Sequence, residues 1–198
     1  MQHDLLQQPT VAGAPAGRVE LVRHAEHLDR VIRGGVLRAR SGLEIMTADF
    51  KAASIPNAGK GASGGRRTRA PSIVHHLVRI ASRGVDVRVL HAGTPSRFVR
   101  QELRALAPLP PTLQLRQCIR LHTKAVVVDA ASMYLGSANL TGAGLGAKSP
   151  RNRNFEMGLW TTDPSLIDPV LEEFNQLWEG TLCNNCGRRD LCPDPLDS

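Results

Sequence analysis

The sequence of 198 residues predicts an α/β protein, an α/β/α sandwich around a central mixed sheet with a short cysteine-rich tail. Segments of helical and strand periodicity alternate in the first half of the chain, and strand-type runs cluster in the second half. The apolar content of 41% is enough for one sizeable core. We therefore divide the chain into a flexible lead over 1–17, one α/β domain over 18–180 and a tail over 181–198.

The first half of the chain alternates between helices and strands. Apolar residues recur at helical spacing from Val19 until Gly34 and Gly35 interrupt the pattern. Pro71, a residue type favoured in the first helical turn, begins another helix that Gly84 ends. In order, the predicted elements are a helix over 19–33, a strand over 43–48, a helix over 71–83, a strand over 85–90 and a helix over 96–106.

The second half is rich in short apolar and β-branched runs. They predict strands over 113–115, 125–128, 133–135 and 155–161. Asp168 and Pro169 predict the start of a last helix through Trp178, because Asp caps helices and Pro fits their first turn. We therefore expect helices on both faces of a mixed sheet.

The charge balance favours a polyanionic partner. Lys and Arg outnumber Asp and Glu by 25 to 18, which gives a net charge of +7 and favours nucleic acid or an acidic membrane surface. The longest apolar runs are only a few residues, and the N-terminus has neither the basic start nor the apolar core of a signal peptide. We expect a cytoplasmic protein without stable membrane insertion.

A basic loop is predicted over residues 57–71. Its small residues cannot build a core, so it is either a solvated linker or a surface that neutralises a nucleic-acid backbone. Its cations are Lys60, Arg66, Arg67 and Arg69, and Arg151 and Arg153 are candidates for the same surface.

The most informative segment contains His122, Lys124 and Asp129 at the spacing H-x-K-x4-D. The valines before Asp129 predict a buried strand, in which His122 and Lys124, two residues apart, project from one face. An imidazole is a competent nucleophile toward phosphorus, and an ammonium stabilises the charge on the non-bridging oxygens. The spacing therefore predicts attack on a phosphodiester.

Three further polar residues complete the predicted site. Ser137 and Asn139 are two residues apart and can donate hydrogen bonds to the same phosphate oxygens. Glu156 can orient the imidazole of His122 through its second nitrogen. Asp129 ends the valine run, and we expect it to hold the turn or to pair with a cation.

These residues resemble the signature of the phospholipase D superfamily, H-x-K-x4-D followed by G-S-x-N, here His122, Lys124, Asp129, Gly136, Ser137 and Asn139. Glu156 falls where that superfamily places its later acidic residue. The resemblance implies an α/β/α fold, a covalent phosphohistidine on His122 and chemistry that needs no metal. The strict match covers residues 122–156.

The chain departs from this superfamily pattern because it holds one such motif, whereas a complete site needs two. We therefore expect a homodimer in which His122 of each subunit faces one phosphate. Short members with one motif resemble a small bacterial endonuclease branch, which favours DNA or RNA as substrate. Phospholipid hydrolysis, phosphatidyl transfer and non-catalytic nucleic-acid binding stay open as alternatives.

The tail contains Cys183, Cys186 and Cys192 at the spacing C-x2-C-x5-C, a pattern typical of metal ligands. It resembles the C-terminal cysteine triad of iron–sulfur nucleases, which implies a structural 4Fe-4S cluster. Cys118, the one remaining cysteine, is the natural fourth ligand. Zinc with a His or carboxylate as fourth ligand, a Cys183–Cys186 disulfide and free thiols are the competing interpretations.

Overall fold

The computed structural model describes residues 17–55 and 70–196, which form a seven-stranded sheet with three α-helices. The strands are β1 (Val19–Arg23), β2 (Gly42–Thr47), β3 (Asp86–His91), β4 (Leu113–Gln117), β5 (Ala125–Val128), β6 (Ser132–Gly136) and β7 (Met157–Thr161), and the helices are α1 (Ile73–Ala81), α2 (Arg97–Ala105) and α3 (Pro164–Glu179). The strand order is β1-β7-β6-β5-β2-β3-β4. Strands β2, β3 and β4 are parallel and the other neighbours antiparallel, so the predicted α/β fold with a mixed sheet is confirmed.

Strand β5 separates two apolar layers. Val126 and Val128 pack into the larger core together with α1, whereas Val127 packs against Ile167 of α3. Successive side chains of a strand point to opposite faces, so an unbroken run of valines serves both layers. The central strands are therefore covered on both sides, as the sequence predicts.

Arg88 of β3 attaches α3 to the sheet through a hydrogen bond and a contact with an aromatic ring, and an ion pair links it to β2. Arg88 of β3 donates to the Glu44 carboxylate of β2 at 2.9 Å and to Asn175 of α3 at 3.1 Å. The Arg88 guanidinium also lies 5.0 Å from the centre of the Phe174 ring. Burial raises the pKa of Glu44, although the hydrogen bond from Arg88 acts to lower it.

The predicted helix over 19–33 is wrong in its first part. Residues 19–23 form β1, which pairs with β7, and only Leu28–Arg33 form a short π-helical segment. Over so few residues, helical spacing and strand alternation fit the same apolar positions. Pairing with a strand more than 130 residues away decides the outcome, and this pairing buries Val22 while leaving Leu21 exposed.

Helix α3 begins one turn earlier than predicted. Asp163 is its N-cap and accepts a hydrogen bond from the backbone N–H of Ser165 at 3.0 Å, with Pro164 in the first turn. The dipeptide Asp-Pro recurs at 168–169, and Pro169 lies inside the helix. Both dipeptides have the chemistry of a helix start, so the local sequence alone does not distinguish them.

Two predicted segments lie largely outside the described residues. The lead is described only at Gly17. The cations of the basic loop, Lys60, Arg66, Arg67 and Arg69, are not among the described residues. Within residues 17–55 and 70–196, no helix combines the length and apolar character needed to cross a membrane.

Candidate active site

Three neighbouring strands, β5, β6 and β7, bring the motif residues together where the strands begin or end on the same side of the sheet. Ala125 at the start of β5 pairs with Leu135, and Gly136 at the end of β6 pairs with Gly158 near the start of β7. The segments just before β5, just after β6 and just before β7 are therefore neighbours. They carry the five residues that we call the motif cluster: His122, Lys124, Ser137, Asn139 and Glu156.

His122 and Lys124 precede β5, so the prediction that they lie in the strand is wrong. Leu121 is buried in the layer under α3, and this burial leaves the His122 side chain exposed. The buried Lys124 ammonium donates to the carbonyl oxygen of His122 at 2.6 Å and lies 3.3 Å from each imidazole nitrogen. The exposed imidazole and the fixed cation therefore lie side by side because of the conformation of the segment before β5, and not because side chains alternate along a strand.

Ser137 and Glu156 form a hydrogen-bonded pair. The Ser137 hydroxyl donates to Oε2 of Glu156 and accepts from the backbone N–H of Met157 at 3.0 Å. Asn154 donates its side-chain N–H to Oε1 of Glu156 at 2.9 Å. In the described part of the chain, Glu156 makes no hydrogen bond to His122, and its role in orienting the imidazole stays a prediction.

Asn139 holds the loop that follows β2. Its Oδ1 accepts hydrogen bonds from the backbone N–H groups of Ala48 and Asp49, both at 3.0 Å. These two donors fix the orientation of the amide, because an N–H group must face the carbonyl oxygen. The Nδ2 group is thereby left as a donor, the chemistry that a phosphate oxygen requires.

Asp129 lies at the opposite end of β5 and organises a turn. Its carboxylate accepts hydrogen bonds from the backbone N–H groups of Arg40 and Ser41 at 2.9 and 2.8 Å and from Gly42 at 3.1 Å. Partial burial acts to raise the pKa of Asp129, but the hydrogen bonds from Ser41, Arg40 and Gly42 outweigh it and lower the pKa. Asp129 itself has a positive φ of 54°. It follows β5, whereas His122 and Lys124 precede this strand.

A buried polar pair supports the loop of Ser137 and Asn139 from below. The Tyr134 hydroxyl accepts from the backbone N–H of Ala138 at 3.1 Å and lies 2.9 Å from Nε2 of His27. Nδ1 of His27 lies 2.8 Å from the carbonyl oxygen of His24, so this nitrogen carries the proton and Nε2 accepts from Tyr134. Burial lowers the pKa of His27 and raises the pKa of Tyr134 to about 12.

Sequence reasoning missed both members of this pair. The available signal was that Tyr134, the single tyrosine of the chain, lies between Met133 and Leu135 in a predicted strand, and a tyrosine hydroxyl needs a partner when it is buried. Its partner is 107 residues away, and no spacing rule connects the two.

The predicted cations at 151 and 153 lie in the turn that leads into β7. Arg151 is exposed and Arg153 is partly exposed. The turn is fixed by hydrogen bonds from the N–H of Asn152 to Ser149 at 2.9 Å and from the N–H of Asn154 to Ala143 at 3.2 Å. Since Asn154 also binds Glu156, this basic turn is linked directly to the motif cluster.

A cavity of about 370 Å³ lies beside His122, between the β4–β5 connection and the tail. Its wall includes every cysteine of the chain: Cys118, Cys183, Cys186 and Cys192. Hydrogen bonds from the backbone of Arg188 and the side chain of Arg120 lower the pKa of the Cys186 thiol. Among the described residues, no three His, Cys, Asp or Glu side chains are close enough together to hold a single metal ion.

Comparison with known proteins identifies the family. A family model described as "Cardiolipin synthase, PLD-like domain" matches residues 68–178, which is more than half of the chain and contains the whole motif cluster. The protein therefore belongs to this phospholipase D-like family, as the motif predicts. Phospholipase D Z of Dictyostelium discoideum is 32% identical over 113 residues, which are 54% of this chain and 25% of that protein. The chain thus spans about a quarter of the length of this relative.

Solved structures show the same fold. Nuc from Salmonella typhimurium, described as a phospholipase D family member, matches with a TM-score of 0.58 and 22% identity over 82% of this chain and 94% of its own. NucT from Helicobacter pylori matches with a TM-score of 0.57 and 16% identity over 82% and 96%. Phosphatidylserine synthase from Haemophilus influenzae matches with a TM-score of 0.53 and 19% identity over 80% and 38%.

Proposed function

We propose that the protein is a metal-independent nuclease of phospholipase D type, which hydrolyses DNA or RNA at a site shared by two subunits. The observation that carries the proposal is the exposed His122 imidazole beside the buried ammonium of Lys124, 3.3 Å away. A nucleophile beside a fixed cation matches the needs of attack on an anionic phosphodiester.

The proposed reaction has two displacements. The His122 imidazole attacks phosphorus, a P–N bond forms, and the P–O bond to the leaving group breaks while His122 of the partner subunit protonates that oxygen. His122 of the partner subunit then takes a proton from water, the resulting hydroxide attacks phosphorus, and the P–N bond breaks. Lys124, Ser137 and Asn139 hold the non-bridging oxygens throughout. Glu156 keeps an imidazole oriented through Nδ1 or Nε2.

An exposed apolar surface supports the homodimer. Leu21 of β1 pairs with Leu159 of β7, and Leu159 pairs with Leu135 of β6. All three side chains lie on the face of the sheet that carries α3, beyond the part that α3 covers. We call the exposed side chains of this surface the apolar strip: Val19, Leu21, Leu135, Met157 and Leu159. The strip borders Ser137 and Glu156, so a second copy seated on it would lie next to the motif cluster.

Charge supports nucleic acid as the substrate. The net charge is +7, and the exposed Arg151 lies in the turn that reaches Glu156 through Asn154. Cations near the reacting phosphate bind neighbouring phosphates of a polymeric substrate. The chain matches Nuc and NucT over nearly their full length, so its fold has about the size of theirs.

Phospholipid is the second candidate substrate. Phospholipids are also phosphodiesters, and the matching family model and two of the similar proteins are described by activities on phospholipids. In this alternative, the apolar strip would contact acyl chains rather than a second subunit.

The test measures hydrolysis of plasmid DNA, single-stranded DNA, RNA and phosphatidylcholine, each with and without EDTA. We expect nucleic-acid cleavage that EDTA does not reduce and that His122→Ala abolishes. His75→Ala is the matched control, because His75 is exposed and lies on α1. Rapid denaturation during turnover of an oligonucleotide with a radiolabelled phosphate should leave label on the wild-type protein and none on His122→Ala.

Each remaining outcome has a distinct meaning. Hydrolysis of phosphatidylcholine alone would support the second candidate. Cleavage that EDTA abolishes would contradict the phosphohistidine mechanism. Binding of nucleic acid without cleavage, unchanged in His122→Ala, would indicate a non-catalytic binding module.

A further inference from the structure

The tail is held to the rest of the protein by few contacts. None of the described side chains of residues 181–196 is buried. The backbone hydrogen bonds within the tail are local turns, such as the N–H of Cys186 to Cys183 at 3.1 Å and the N–H of Cys192 to Arg189 at 3.0 Å. A segment of this size without a core usually needs a covalent or metal cross-link to keep one conformation.

The tail nevertheless returns to the sheet at a defined place. The carboxylate of Asp194 lies 3.4 Å from the backbone nitrogen of Gln117, next to Cys118, and Leu196 packs against Gly180 at the end of α3. Arg189 donates to the carbonyl oxygen of Leu196 at 2.8 Å and closes the loop of the tail on itself. This path brings three cysteines of the tail to the wall that contains Cys118.

We infer that all four cysteines of the chain are thiolate ligands of one centre for a thiophilic metal, either a zinc ion or an iron–sulfur cluster, which fastens the tail to the sheet. The carrying observation is that residues from two distant segments, one at 118 and three at 183–192, line a single cavity. Four thiolates are the ligand set that structural zinc and iron–sulfur clusters share. The inference is independent of the proposed hydrolysis of nucleic acid.

The thiols must move to bind a metal, because no three potential ligands among the described residues are close enough to hold one ion. The movement required is a closure of the tail, whose side chains are not locked in the core. Binding replaces the thiol protons by the metal and contributes directly to the folding free energy. Arg116 and Arg120, which also line the cavity, offset the negative charge of four thiolates.

The first experiment measures the metal content of the full-length protein. The protein is purified without oxygen from cells supplied with zinc and from cells supplied with iron, and zinc, iron and acid-labile sulfide are measured with the visible spectrum. Zinc without a visible band indicates the zinc centre, and iron with sulfide and broad visible absorption indicates the cluster. The reduced, metal-free protein is then titrated with Co²⁺. If no metal is retained and no thiolate-to-cobalt absorption appears, the inference is wrong.

The second experiment identifies the ligands. Cys118→Ser and Cys183→Ser should each weaken metal binding at least about tenfold, whereas Asn184→Ser, a change between two cysteines of the tail, should leave it unchanged. Metal retention by Cys118→Ser together with loss in Cys183→Ser would overturn the four-thiolate centre. X-ray absorption of the wild-type protein gives a measurement that needs no variant. Four sulfur ligands per metal are expected, and fewer would contradict the inference.

Discussion

Glu156 is a buried carboxylate, and each of its oxygens accepts one hydrogen bond within the chain, from Asn154 and from Ser137. A buried carboxylate costs free energy unless donors surround it, and each oxygen has room for a second donor. An imidazole N–H of a second subunit is a suitable donor. At the scale of single residues, the Glu156 carboxylate can therefore accept a further hydrogen bond from a second subunit, although both of its oxygens already accept one in their own chain.

Tyr134→Phe should destabilise the protein and lower its activity. The change leaves Nε2 of His27 and the N–H of Ala138 without their partner, and unsatisfied buried groups cost about 1–3 kcal/mol. Because Ala138 lies between Ser137 and Asn139, hydrolysis should also slow down. The free energy of unfolding in urea and the rate of hydrolysis measure the two effects.

The control for this change is Thr112→Val. Thr112 donates to the carbonyl oxygen of Ala81 at 2.9 Å, before β4 and away from the edge with the motif cluster. The Thr112→Val change should lower the free energy of unfolding without changing the rate of hydrolysis per folded molecule. Equal activity of Tyr134→Phe and the wild-type protein would show that the buried pair has no positioning role.

At the scale of secondary-structure elements, β6 and β7 approach each other closely through glycines. Gly136 and Gly158 are paired in register. The hydroxyl of Tyr134 fills the space that a side chain at Gly136 would need, and the ring of Tyr134 fills that space at Gly158. Ser137 follows β6 and Glu156 precedes β7. The two residues come together because the paired glycines let the end of β6 approach the start of β7 closely.

Gly158→Ala should therefore destabilise the protein by about 1–3 kcal/mol, the usual cost of overpacking a core. The added methyl group collides with the Tyr134 ring and the backbone of Leu135. Gly142→Ala is the matched control, since a Cβ at that position meets its neighbours at 3.7 to 3.8 Å, an ordinary contact distance. Thermal unfolding of both variants measures the difference, and equal melting temperatures would contradict the packing argument.

The sequence allows most elements to be predicted because their patterns are local. The valine run of β5 and the helix around His76 contain enough periodicity to be recognised without the fold. The conformation of His122 is not predictable in this way, because it depends on the burial of Leu121 under α3, more than 40 residues away. Strand β1 is not predictable from the local sequence either, because it is fixed by pairing with β7, which lies near the other end of the domain.

At the scale of the whole molecule, the proposed dimer depends on the apolar strip. Leu159→Glu should convert the dimer into a monomer and reduce hydrolysis at least about tenfold, because a carboxylate in an apolar interface is desolvated without a partner. The matched control is Leu166→Glu. Leu166 of α3 has nearly the same exposure, 43% against 41% for Leu159, and lies outside the strip. Sedimentation equilibrium and the rate of hydrolysis measure both effects, and a fully active monomer would exclude a shared site.

The stability of the whole molecule should also depend on pH through its buried histidines. Burial lowers the pKa of His27, His76 and His91, so all three imidazoles are neutral in the folded protein near pH 7. The unfolded chain has ordinary imidazole pKa values of about 6.5 and therefore binds more protons as the pH falls. The stabilisation is complete above about pH 6.5 and is lost as the pH falls through the lowered pKa values, with at most about 1.4 kcal/mol per pH unit for each histidine.

The free energy of unfolding in urea, measured between about pH 5 and 8, tests this dependence on the titration of imidazole groups. His76→Leu should make the slope shallower, because it removes one of the three imidazoles whose pKa is lowered by burial. His75→Leu, a change at the neighbouring exposed position, should leave the slope unchanged. Identical slopes in the two variants would show that His76 does not contribute, and a flat profile of the wild-type protein would contradict the role of all three histidines.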